Sequence, residues 1–387
     1  MKKKTMIIIS SIVGVILLLI FAKAIHTSSM MKHIGSFETE KADLLQRRDW
    51  LLSKVVTTPE NLINEMPGAV GPIIKGEWAL YSCSMLSSAL VNLANIYPET
   101  RDEAVSSVYE LIKIALDEKI RDYDSVCWGE DPLVSIDGEN SHVSYISILA
   151  WMIGGYKSIG GDDCFDALQD RLCATLSRRF LLSPHGNLST YPDGMIYVPD
   201  ELVGIAALAI YARQHGGTYQ STVDGWLDNI LRNWTDATGM IASYFPDVER
   251  MQGDFCMLLG SYSSLICYYM TFVDEDYARD LYRVLKDVFL QRKPFCGIKE
   301  YWSHSCLLGF DIDAGPIIFN LSPSGTAFAI GPATYFGDTK IRNRFLRTAE
   351  IAGTTVVRKG KRHYRLADIA LVGEAITLAM RTAVSWE

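Results

Sequence analysis

Residues 258–292, LLGSYSSLICYYMTFVDEDYARDLYRVLKDVFLQR, hold two helices of opposite character on either side of a tight turn. Leu258 to Met270 is apolar or small nearly all round, which is the mark of a helix buried on every side. Asp274 to Arg292 instead sets Tyr277, Leu281, Val284, Leu285 and Val288 at helical spacing and charges between them, so only one face is covered. Val273-Asp274-Glu275 joins them, with Asp274 placed to cap the second helix. The unit is a helical hairpin with a buried member and a half-exposed one.

The same unit recurs along the chain. Apolar helices begin near Trp78, Val143, Asp200, Phe255, Pro316 and Asp368, at steps of 52 to 65 residues, and GIAALAIYA (Gly204 to Ala212) is typical of them. Pro98 to Leu116, with Val105, Val108, Ile112 and Leu116, is a second half-exposed partner. Turns from buried to half-exposed helices are short: Tyr97-Pro98-Glu99, Gly160-Gly161-Asp162, Gly216-Gly217-Thr218 and Phe336-Gly337-Asp338. Return connections are long, about 117–141, 183–199, 237–254, 293–315 and 353–367, and all fall at one end. Five pairs and the helix from Asp368 to Thr382 leave one place open, which the amphipathic segment Glu38 to Val55 can fill as a twelfth helix. The expected fold class is therefore all-α, a closed ring of helical hairpins, with an incomplete ring or open solenoid as the alternative. Ser322-Pro-Ser324-Gly falls within one apolar stretch and reads as a kink, since no strand precedes it to make a nucleophile elbow.

Lys2, Lys3 and Lys4 precede the uncharged stretch Thr5 to Ala22, which is long enough to span a bilayer with its N-terminus in the cytoplasm. A cleaved signal peptide is the competing reading; in either case the remainder is extracytoplasmic. The expected divisions are 1–24 (cytoplasmic tip and transmembrane signal-anchor), 25–56 (connector and amphipathic helix) and 57–387 (helical-hairpin domain). A net charge of −8 and a pI near 5.5 argue against nucleic-acid partners, while an apolar fraction of 49% suits a large core. No cysteine pair has CxxC or zinc-finger spacing. Cys83, Cys164, Cys173, Cys256 and Cys267 fall in apolar helical patterns, Cys127, Cys296 and Cys306 in expected loops, and a Cys296–Cys306 bridge is conceivable. No HExxH or similar metal-binding spacing and no cofactor motif is present.

The long connections are rich in acids and aromatics, the mixture that binds sugars. Glycosidic cleavage needs two carboxyl groups, one protonated and one ionised. The candidate catalytic acids are Asp193, Asp313, Asp311, Asp200, Glu201 and Asp254, with Asp193 and Asp313 the first choices because they lie outside the regular helices. Structural roles compete at each. Asp200, Asp254 and Asp313 can cap helices, Glu201 can favour a helix dipole, and Asp193 sits in a Pro-Asp-Gly turn. Candidate substrate-binding residues are Trp128, His142, Tyr191, Tyr301, Trp302 and His304, each with loop anchoring as the alternative. Trp78, Trp151, Trp226 and Trp234 lie in helices and read as packing residues.

From Trp78 to Trp386 the alternation of helices with long loops on one face resembles the six-hairpin (α/α)6 toroid of many carbohydrate-active enzymes, and is also similar to linalool dehydratase-isomerase-like toroids. The resemblance is architectural, with no family motif matched residue by residue. It implies a membrane-tethered glycoside hydrolase-like enzyme working in an axial pocket. The alternatives are a dehydratase- or isomerase-type lyase using Cys127 or Cys306 with a histidine and a tyrosine, and a non-catalytic glycan-binding or envelope module.

Overall fold

The computed structural model describes residues 18, 19, 21–34, 37–250 and 257–386. Most of the Thr5 to Ala22 stretch, Asp254 and Cys256 lie outside the described residues. Within them the chain is mostly helical. Helical residues 21–30 are followed by α1 (Phe37–Val55), α2 (Pro59–Glu65), α3 (Pro72–Ile96), α4 (Arg101–Ala115), α5 (Glu118–Trp128), α6 (Val143–Ser158) and α7 (Asp166–Leu182). Then come α8 (Val198–Gln214), α9 (Gln220–Asn233), α10 (Gly260–Met270), α11 (Glu275–Val288), α12 (Pro323–Tyr335), α13 (Thr339–Gly353) and α14 (Leu371–Arg381).

The apolar helices pack on one another in sequence: α3 on α6, α6 on α8, α8 on α10, α10 on α12, α12 on α14, and α14 back on α3. Small residues permit the close approach, since a methyl added at Gly204 would lie 2.4 Å from the Ser147 hydroxyl on the neighbouring helix. Each amphipathic helix covers the apolar helix before it: α4 on α3, α7 on α6, α9 on α8, α11 on α10 and α13 on α12. α1 packs on both α14 and α3, the place expected for a twelfth helix. Among the described residues α3 alone is long and apolar enough to cross a membrane, yet 83% of its most apolar window is buried inside the protein, as a core helix requires.

A buried ionic network fastens α1 in place. Arg47 on α1 pairs with Asp43 (3.0 Å) and, across to α14, with Glu374 (2.6 Å), while its guanidinium also donates to Thr355 Oγ1 (2.6 Å). Arg381 at the end of α14 pairs with Asp43 at 2.7 Å, and Arg342 on α13 pairs with Glu40. Helical residues 21–30 run beside α13. Lys23 Nζ donates to the Glu350 carbonyl (3.0 Å) and to the Thr354 hydroxyl, and His26 meets the Glu350 carboxylate at 3.2 Å.

The long connections carry structure that the hairpin pattern does not announce. The stretch 117–141, expected as a loop, contains α5, which Asp117 caps and Gly129 ends at φ +75°. Four two-stranded antiparallel sheets occupy the others. β1 (Met195–Tyr197) pairs with β2 (Tyr244–Pro246), β3 (Leu290–Gln291) with β4 (Gly297–Ile298), β5 (Leu308–Asp311) with β6 (Gly315–Ile318), and β7 (Thr355–Arg358) with β8 (Lys361–Tyr364). Helix starts move accordingly: α10 begins at Gly260 rather than Phe255, α12 at Pro323 rather than Pro316, and α14 at Leu371 rather than Asp368. Ser322-Pro323 is a helix start and not a kink, because the Ser322 hydroxyl accepts from Gly325 N (3.0 Å) and Pro323 occupies the first turn, where its missing N–H is no loss. Cys296 and Cys306 are both free thiols, so they form no bridge. Cys164 is exposed, in a short turn of 3-10 helix, instead of buried in an apolar pattern.

Candidate functional site

The amphipathic helices return the chain between successive apolar ones, and contacts among the first turns of α3, α8 and α10 and the long connections bring these to one end, the mouth. Three carboxylates from three elements gather there. Glu77 lies in the second turn of α3, half-buried, and its Oε1 accepts from the Tyr191 hydroxyl at 3.1 Å. Asp200, in the first turn of α8, is buried and accepts from Tyr81 (3.1 Å) and Thr190 (3.2 Å). Asp313, at the tip of the β5–β6 hairpin, reaches Tyr262 on α10, whose hydroxyl donates to it at 2.7 Å. Asp313 is exposed to solvent at the hairpin tip.

Desolvation dominates the acidity of all three. It raises Glu77 to about 8, with the neighbouring Asp200 and Asp313 charges adding to the shift. Asp200 is pushed up to about 7 by burial, against the hydrogen bonds from Tyr81 and Thr190 that favour its charged form. Burial and the charge of Asp311 likewise raise Asp313 against the Tyr262 bond. Among the described residues, the leading influences on these three carboxyls are burial, hydroxyl donors and other acids. Beside them lies a cavity of about 530 Å³ lined by Cys127, Trp128, Asn140, Ser189, Tyr191 and neighbouring residues. Tyr191 lines that cavity and donates its hydroxyl to Glu77, so it links the cavity wall to the acid cluster, whose three carboxylates are not themselves among the lining residues.

Two further acids hold the mouth together. Glu300 is buried between two inner helices: it accepts from Ser261 Oγ (2.7 Å) and from Ser261 N (3.2 Å) on α10, and Ser322 at the start of α12 also hydrogen-bonds to it. Its carboxyl is raised to about 7 by desolvation. Asp124 on α5 accepts from or shares a proton with His142 Nδ1 at 2.5 Å, and the other ring nitrogen lies 3.2 Å from Glu130. His142 is buried with a left-handed backbone (φ 47°), and its ring centroid sits 5.3 Å from that of Trp128.

The candidates from sequence divide accordingly. Asp200 and Asp313 come together, and neither is a helix cap: Asp200 lies inside α8, whose capping position is Tyr197, and Asp313 sits in a hairpin turn. Glu201, one residue on, is turned away by the helical rotation and accepts from Leu188 N and from the Trp226 indole (3.2 Å) on α9, so it anchors a connection. Asp193 is exposed and accepts from Met195 N at 3.0 Å, a turn role. Asp311 similarly accepts from Asp313 N and Ala314 N, both at 2.9 Å, shaping the hairpin that presents Asp313. Trp128 and Tyr191 line the cavity, whereas His142 stands behind Trp128 and orients it. Tyr301 stacks on His304 (4.5 Å between centroids), and Trp302 next to them is 41% exposed. Glu77, Tyr81, Tyr197 and Tyr262 were not among the sequence candidates. Glu77 had a signal nonetheless, as the lone acid in the stretch 73–96, where Lys75 is the only other charged residue.

These raised carboxyls fix how stability depends on pH. Glu77 and Glu201 (about 8) and Asp200 and Glu300 (about 7) titrate near 4 when unfolded, so the folded state binds more protons between roughly pH 4 and 8. Their contribution is full below that window and is lost as pH rises through the folded values. Asp43, held well below the usual range by Arg381 and Arg47 despite its burial, acts oppositely only below pH 4. The thermal midpoint should therefore fall from pH 5 to pH 8, with at least about 1 kcal/mol of stability lost. Unfolding monitored by circular dichroism at the two pH values checks this; a midpoint that rises with pH would contradict the burial of these groups.

No family model matches the chain, and no curated protein matches it. Among solved structures it is similar to a family 105 glycoside hydrolase of C. acetobutylicum ATCC 824, at 11% identity and a TM-score of 0.49, over 77% of this chain and 92% of that one.

Proposed function

We propose that the chain is a membrane-tethered, extracytoplasmic (α/α)6 toroid that cleaves glycosidic bonds, with Glu77, Asp200 and Asp313 as its working carboxylates. The observation that carries this reading is the convergence of the three acids, each raised by burial, beside a cavity walled by Trp128 and Tyr191. A carboxyl near 8 is protonated at neutral pH, which is the state a general acid requires. Glu77 gives its proton to the glycosidic oxygen as the C–O bond breaks, and Tyr191 fixes the orientation of its carboxyl. Water attacks the anomeric carbon and loses a proton to Asp313, the member of the cluster that solvent reaches. Asp200 shares the negative charge of the site, so the acids titrate as a group.

Ionised Asp313, with Asp311 beside it, disfavours an anionic sugar ring at the point of attack, so the substrate class is a neutral or amino-bearing glycan. The test is incubation of the purified full-length chain with a panel of neutral, amino-bearing and uronate glycans, scored by new reducing ends. Cleavage of neutral or amino-bearing members is the expected outcome, and absence of cleavage across the panel would reject the hydrolase reading. A second reading, a dehydratase- or isomerase-type lyase, draws support from Cys127 in the same cavity wall, its thiol kept protonated by burial and by the charges of Asp124 and Glu77. Under that reading Cys127→Ala abolishes turnover; under the glycan reading it does not.

A further inference from the structure

The β5–β6 hairpin presents an apolar face to solvent. Leu308 (79% exposed), Phe310 (69%) and Ile318 (49%) lie on one side with Pro316, as the pairing Leu308↔Ile318 and Phe310↔Pro316 requires. Leu307, next in the chain, and Trp302, in the connection before the hairpin, are exposed as well. Single exposed apolar residues are ordinary, but a contiguous patch of large ones marks a surface that something covers. On the same end, the β7–β8 hairpin and the turn after it expose Val357, Leu366 and Ile369 among Arg358, Lys359 and Arg365. Apolar side chains interleaved with basic ones suit a surface that is both oily and negatively charged.

The path of the chain supplies an independent reason. Lys23 contacts Glu350 and Thr354, at the C-terminal end of α13 and immediately before β7. Helical residues 21–30, at the C-terminal edge of the uncharged stretch, therefore lie at the mouth end, beside the basic hairpin, and not at the end of the tight turns. A membrane span that ends there brings the lipid headgroups to the same end as the exposed hairpins.

We infer that the mouth of the ring lies against a lipid surface, with the apolar β5–β6 face seated in the headgroup layer and the basic β7–β8 hairpin set against its anionic headgroups. Trp302 is an aromatic side chain of the kind that settles at that depth. Resting on the glycan reading, the substrate is then a saccharide borne by the membrane, attached to a lipid or lying along the bilayer, and it reaches Glu77 and Asp313 without first entering bulk water. The seat itself stands whether or not the chain cleaves glycans.

The test uses the full-length chain reconstituted in vesicles of phosphatidylcholine and phosphatidylglycerol, the latter carrying a photoactivatable diazirine at the top of one acyl chain. No glycan is added, so failure of the hydrolase reading leaves the result intact. After irradiation, mass spectrometry should find lipid adducts in residues 302–319 and 355–369 as well as in the apolar N-terminal stretch. Leu308→Ser with Phe310→Ser should lower adducts in 302–319 by about tenfold, because the exposed face loses two large apolar anchors. Arg358→Glu with Lys359→Glu should lower those in 355–369 several-fold, and circular dichroism should be unchanged in both variants, whose substituted side chains are exposed. Adducts confined to the N-terminal stretch, adducts at the opposite end around 215–218 or 336–338, or chain-to-chain products in place of lipid adducts would each overturn the proposal.

Discussion

Glu77→Gln should lower turnover on a cleaved glycan by about 100- to 10,000-fold, the usual worth of a positioned general acid, while the thermal midpoint stays level or rises. Both halves follow from the same burial. Gln is near-isosteric and its carbonyl still accepts from Tyr191, so the geometry survives, but no proton is left to give. Burial disfavours the anion of Glu77, so an uncharged amide in its place avoids that cost wherever the acid would ionise. The pH profile separates this from a merely structural effect. In the parent, activity should fall on the alkaline side as Glu77 loses its proton near 8, and the residual activity of the variant should lack that limb. Asp193→Asn serves as a comparison: an exposed turn residue whose bond from Met195 N an amide can keep, it should lose little. Equal losses at both positions would remove the distinction between cluster and turn.

Arg47→Met should destabilise the protein by roughly 3–5 kcal/mol, the range for removing one partner of a buried ion pair. The substitution leaves Asp43 and Glu374 buried with one cation fewer, although Met fills much of the same volume. The effect is one of position as well as charge. Arg47 joins the first long helix of the chain to the last, through Glu374 on α14 and Thr355 at the start of β7, so its loss loosens the contact that brings α1 onto α14 and α3. Urea unfolding at neutral pH, compared with an exposed replacement such as Lys113→Met, would show it; a loss no larger than that of Lys113→Met would mean that packing alone holds α1.

The helical hairpins were legible in the sequence because burial on all sides and burial on one side leave different periodicities, and α11 with its stripe from Tyr277 to Val288 shows the second plainly. The small sheets were not. Strands of two to four residues, as in β3–β4 and β7–β8, are too short to establish an alternation, and what stabilises them is pairing across a connection, which no local pattern records. Asp200 and Asp313 were readable as acids at the mouth, but Glu201 could be separated from Asp200 only once the rotation of α8 put one toward Tyr81 and the other toward Trp226. Glu77 was hidden for the opposite reason: a helix apolar enough to read as core drew attention away from the single carboxylate at its mouth end.

The pairing of β1 with β2 joins two connections that lie far apart in the chain, with Tyr197 opposite Tyr244 and their rings 5.9 Å apart. Residues 183–197 and 235–250 thus form one lip rather than two independent loops. Transplanting either segment alone from a related ring would strip its partner of backbone hydrogen bonds and of the stacked tyrosine. A chimera that aims to alter ligand preference at this side of the mouth has to carry both segments together, as a single exchangeable cassette.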